Sequence, residues 1–154
     1  MKAALTAPVA ALVALLGPLP ATATGLADPG TGAADPTTAP ATAWPPYIDH
    51  TQWVQWHGLS SLRVFPTPSG RRAARQPGTA ASEASANEAW SEVLALSPDA
   101  DTPGMRAQFI CHWQFAELVE PGKASWNLEP WRPVVDDAEM VAAGCNPGGP
   151  EETF

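Results

Sequence analysis

The chain has 154 residues, a formal net charge of −8, two cysteines, and seven tryptophans beside a single tyrosine. An acidic chain is unsuited to nucleic acid, which needs a basic face against its phosphates. Its apolar runs fall short of the roughly 20 residues that cross a bilayer, so no membrane span is expected.

Met1-Lys2 gives a positive end, residues 3–16 are almost wholly apolar, and Ala21-Thr22-Ala23 offers small residues for cleavage. That order predicts a signal peptide over residues 1–23 and a secreted, extracellular product. Export gives the cysteines a meaning: in an oxidising compartment Cys111 and Cys145 most simply pair with each other. A loop of that length should stabilise the fold by roughly 3–4 kcal/mol in the chain-entropy model. Pairing also withdraws both thiols from nucleophilic or metal-binding work.

Residues 24–46 are dominated by Thr, Ala, Pro, Gly and Asp, and are expected to form a disordered linker. Residues 67–81, which hold Arg71, Arg72 and Arg75, read as a shorter solvated loop open to proteases. Residues 148–154 read as a flexible tail. The folded part is therefore one disulfide-closed domain over residues 47–147.

Within it, residues 47–56 and 61–65 are rich in aromatic and β-branched side chains, with a turn at His57-Gly58-Leu59-Ser60, and predict a hairpin. Three helices should follow. Ser85-x-x-Glu88 reads as a reciprocal cap, with Ala86, Ala89, Trp90, Val93 and Leu94 on one stripe and Pro98 as the stop. Thr102-Pro103 should open a second helix running to Val119. Met105, Phe109, His112, Ala116 and Val119 share its central face, and Arg106, Gln114 and Glu117 line the opposite one. Asp136 caps the third, Val135 is placed to staple Met140, and Gly144 suits a left-handed exit before Cys145. The fold class is α+β: a small antiparallel hairpin or sheet packed on about three helices, with one disulfide.

Ser61-Leu62-Arg63-Val64, Met105-x-x-Gln108-Phe109, Cys111-His112, the run WNLEPWRP over residues 126–133 and Cys145-Asn146-Pro147 resemble a family of secreted, mainly actinobacterial proteins. That family is DUF2599, a domain of unknown function. The resemblance implies export and paired cysteines, and brings no activity or catalytic residues.

His112 and Glu129 are the weak catalytic candidates, His112 because a histidine held beside a disulfide suits acid–base work. Its place on an apolar helix face reads more readily as core. In WNLEPWRP the prolines favour an extended backbone, in which Asn127, Glu129 and Trp131 face away from Trp126, Leu128 and Pro130. That pattern makes Trp131, Asn127, Glu129 and Arg132, with Trp126 in support, the candidate ligand-binding residues: aromatic surface beside hydrogen-bonding groups suits a sugar ring or peptide. The alternative reading is a strap that completes the core, with Glu129 and Arg132 as an ion pair. His50, His57 and His112 match no metal-ligand spacing, and no metal or cofactor is expected. The function these features favour is a secreted, non-catalytic binding or interaction module at or outside the cell envelope, its partner an envelope polysaccharide or an extracellular protein. The rival is a small secreted hydrolase using His112 with Glu129.

Overall fold

β1 (Ile48–Trp56) and β2 (Leu59–Pro66) form the expected hairpin, paired antiparallel from Trp56↔Leu59 outward. His57 and Gly58 make the two-residue turn, both with positive φ, as the twist of a tight hairpin demands. The computed structural model describes residues 42–149, so the leader expected over 1–23, residues 24–41 of the linker expected over 24–46, and residues 150–154 of the tail lie outside them. A third strand, β3 (Trp126–Leu128), joins β2 antiparallel and gives the sheet order β1-β2-β3. The chain is α+β, as expected. Among the described residues no helix is long and apolar enough to cross a membrane.

Residues 67–81 are not a solvated loop. They contain α1 (Pro68–Ala74) and the start of α2 (Ala80–Leu96). Thr67 caps α1 by accepting from the Gly70 amide at 3.0 Å, and Pro68 occupies the first turn. Two of the arginines are tied to one buried carboxylate: Arg71 Nη1 lies 2.5 Å from Glu117 Oε1 and the more exposed Arg75 Nη2 3.2 Å from Glu117 Oε2. Glu117, expected on an outer face, is therefore buried under α1. α2 begins at the Thr79 cap, one and a half turns before Ser85, whose hydroxyl instead donates to the Tyr47 phenol at 3.2 Å. Ala86, Ala89, Trp90 and Val93 are buried along α2 as their spacing implied, and the chain leaves the helix at Ser97 before a 3-10 turn at Pro98–Ala100.

α3 (Met105–Val119) starts from a left-handed Gly104, with Thr102 and Pro103 just outside it. Phe109 and Trp113 meet Trp126 at ring separations of 6.0 Å, and Trp90 stacks obliquely on Phe109 at 5.5 Å. These rings, with Leu62, Val64 and Leu128 from the sheet, are the centre of the main core. The tryptophan surplus is thus partly structural. α4 (Asp137–Ala142) is capped by Asp136, whose Oδ1 accepts from the Glu139 amide at 2.9 Å. Met140, Val135 and Phe115 gather around the Cys111–Cys145 disulfide as a second cluster. The disulfide ties the middle of α3 to the residue after the left-handed Gly144.

Both ends of the domain reach past the expected limits. Trp44 donates its backbone N–H to Ser69 Oγ at 2.8 Å, so the chain is docked before Tyr47. At the other end Arg132 Nη1 donates to the carbonyls of Pro147 and Gly149, at 3.1 and 2.9 Å.

Candidate functional site

β3 has one edge on β2 and the other against α3, where two side chains four residues apart serve as its partners. Gln108 Nε2 donates to Glu129 O at 3.0 Å, and Gln108 Oε1 accepts from Glu129 N at 2.9 Å. One helical turn on, His112 Nε2 lies 3.1 Å from Asn127 O. A carbonyl only accepts, so Nε2 carries the proton and the ring is neutral with Nδ1 as an acceptor. Burial, the charges of Lys123 and Arg132 outweigh the opposing hydrogen bond and hold its pKa at about 4. His112 is thus an edge partner for a strand.

Glu129 has a separate role. Its carboxylate accepts from Ser61 at 3.1 Å and pairs with Arg132 Nε, with both side chains of that pair fully enclosed. The outward row expected of Asn127, Glu129 and Trp131 does not form: Asn127 and Glu129 are buried, and only Trp131 keeps partial exposure. The reason is tertiary. An extended segment of three residues lies under a strand on one edge and a helix on the other, and the following turn folds Arg132 back over it. The Arg132 guanidinium carbon sits 4.6 Å from the Trp131 ring centroid. Trp126 is fully buried in the core.

An open site lies elsewhere. A cleft of about 280 Å³ runs between the C-terminal half of α3 and the end of α4, and Phe115, Val119, Val141 and the disulfide's Cys145 are among its walls. Its deep members are His112 and Asn146, at 4% and 8% exposure, whereas Val119 at 83% and Val141 at 49% form its rim. Asn146 donates through Nδ2 to Gly144 O at 2.9 Å, while its buried Oδ1 has no hydrogen-bond partner. Lys123 and Glu120 also line the cleft and lie 3.6 Å apart.

Sequence reasoning placed His112 among the candidates but missed Asn146 and Lys123. Asn146 was legible only as part of the Cys145-Asn146-Pro147 run, and its orphaned oxygen follows from the backbone path after Gly144. Of the other histidines, His50 stacks on Phe65 at 4.1 Å and His57 forms the hairpin turn. Among the described residues no group of three or more potential ligands is arranged for a metal ion.

Residues 48–148 match the family described as protein of unknown function (DUF2599), and the chain belongs to it. The chain is 60% identical over 154 residues, the full length of both proteins, to an uncharacterised protein of Mycobacterium tuberculosis, Rv0477. It is equally similar to the uncharacterised protein Mb0487 of Mycobacterium bovis. With the uncharacterised protein ML2452 of Mycobacterium leprae it shares 58% identity over 103 residues, 67% of this chain and 80% of that one. No solved structure matches the chain.

Proposed function

We propose that the chain is exported and that its folded domain is a non-catalytic binding or interaction module acting at or outside the cell envelope. The carrying observation is the apolar cleft beside the disulfide, which stays open while the groups best suited to catalysis are engaged in holding the fold. Pockets that are mainly apolar with a few convergent polar groups are the usual form of a binding site. Export is supported by the order of charge, apolar run and small residues over 1–23, and by the joining of Cys111 to Cys145. The hydrolase reading has less support: His112 is neutral and bonded to a backbone carbonyl, and Glu129 is neutralised by Arg132.

The test is to mix the purified oxidised protein with isolated envelope fractions and measure both its retention and the release of soluble fragments. We expect retention without release, and loss of retention in Val141→Asp at unchanged melting temperature. Loss in Trp131→Ala alone would move the binding surface to the strap over residues 126–133. Fragment release abolished by His112→Ala, with stability intact, would replace this reading with the hydrolase.

A further inference from the structure

The two edges of the sheet are finished differently. α3 closes the β3 edge: its Gln108 side chain bonds both backbone groups of Glu129, and its His112 ring bonds Asn127 O. β1 is the other edge, nine residues long, and an uncovered edge is a ready template for another strand. Trp56 and Leu59 flank the two-residue turn, so they exchange both of their hydrogen bonds. Pairing then alternates: Val54 and Gln52 turn their backbone groups to β2, whereas Gln55, Trp53 and Thr51 turn theirs outward. Beyond the register shift between Ile48 and His50, the outward N–H of Ile48 is taken by Glu92 Oε2 at 2.7 Å. α2 thus closes only the start of this edge. From Thr51 to Gln55, no strand or side chain among the described residues takes up the outward backbone groups. The usual guards of an edge are also missing there. Thr51-Gln52-Trp53-Val54-Gln55 has no lysine, no proline and no charge, and Trp53 is 36% exposed.

We propose that this edge docks a second copy of the chain, the two β1 strands pairing antiparallel about a two-fold axis at Trp53 to continue one sheet across both copies. Register favours a copy as the occupant. An axis through Trp53 sets Trp53 against itself and Thr51 against Gln55 of the copy, which satisfies all three open residues of each strand in about six hydrogen bonds. An axis at Gln52 or Val54 would instead leave one open residue of each strand facing the register shift or the hairpin turn.

Charge favours it too. An isologous contact brings the same residues together near the axis, where like charges directly opposite are destabilising. The uncharged stretch from Thr51 to Gln55 meets that requirement. The net charge of −8 acts over longer distances, where salt screens it. Trp53 supplies the apolar contact. Its ring shares a sheet face with Leu62, its partner across the hairpin, and across the axis it meets its own copy as an aromatic cross-strand pair.

The test is sedimentation equilibrium of the purified, oxidised protein, joined to amide hydrogen exchange followed by NMR at low and high concentration. We expect a reversible dimer with a Kd on the order of 10–100 μM, the weak end suited to a small interface, tightened by added salt. In the unmodified protein the amides of Thr51, Trp53 and Gln55 should exchange fast when dilute and slowly when concentrated. Those of Gln52 and Val54, already bonded to β2, should be protected at both concentrations. Trp53→Lys and Trp53→Glu should each weaken dimerisation at least about tenfold, through the lost ring pair and like charges across the axis. Mixed in equal amounts, the two variants should form a mixed dimer, since only a two-fold at residue 53 sets Lys against Glu. A monomer at every concentration would overturn the proposal and leave the edge to an extended segment of a different protein. A dimer whose three outward amides keep exchanging freely, or folded Lys and Glu variants that fail to pair when mixed, would overturn it as well.

Discussion

His112 shows how burial turns a reactive side chain into a structural one, and it leaves a signature in pH. Its folded-state pKa is about 4 against an ordinary value of 6.5, so between those values the unfolded chain binds more protons than the folded one. Stability contributed by the neutral ring is complete above pH 6.5 and falls as pH drops toward 4, by roughly 3 kcal/mol in all. Urea unfolding at closely spaced pH values should show this slope, and His112→Gln should flatten it over the same window whatever its absolute stability. Arg132 is the second residue with a definite cost. Arg132→Ala leaves the Glu129 carboxylate buried without its cation and frees the carbonyls of Pro147 and Gly149. Breaking one side of such a pair typically costs about 3–5 kcal/mol, whereas replacing both partners costs much less. Chemical denaturation should therefore find the Glu129→Gln, Arg132→Met double variant more stable than Arg132→Ala alone.

At the scale of elements, α1 is where sequence reasoning failed and the failure is informative. Thr67-Pro68 carries the same cap-then-proline signal as Thr102-Pro103, yet the arginines and small residues after it obscured the helix. Its seven residues are too few to be stable alone, and the apolar face it offers is only Ala73 and Ala74 beside Gly70. What holds it is tertiary: the Glu117 carboxylate takes Arg71 and Arg75, and Gly70 lets the helix approach the backbone of Tyr47, just before β1. A Cβ at Gly70 would meet Tyr47 O at 2.3 Å, against a backbone atom that cannot swing away. Gly70→Ala should therefore lower thermal stability by about 1–3 kcal/mol, the usual range for forced overpacking. By contrast, α4 was legible in full: the Asp136 cap, Glu139, Val135 beside Met140 and the left-handed Gly144 are all local signals, and all appear.

For the whole molecule, the disulfide closes a loop of 34 residues and joins the second apolar cluster to the main fold through α3. Replacing both cysteines by alanine should reduce unfolding free energy by about 3–4 kcal/mol in denaturant titration, with the largest loss of amide protection after α4. The sequence by itself determined the fold class, the hairpin, the cysteine pairing and the apolar stripe of α2, because these depend on periodicity, caps and the count of thiols; the inner face of α3 was legible only in part, since Val119 is exposed while Glu117 is buried. Only the tertiary structure decided which polar groups are spent inside and which line an open cleft. Trp126 to Arg132 alternates like a half-exposed strand, but whether its outer side meets water depends on what packs there, and here Gln108, His112 and the Arg132 turn cover it. The open cleft arises in the same way: it forms where α3 and the chain after α4 are held side by side without filling the space between them, a relation between distant segments that no local pattern encodes.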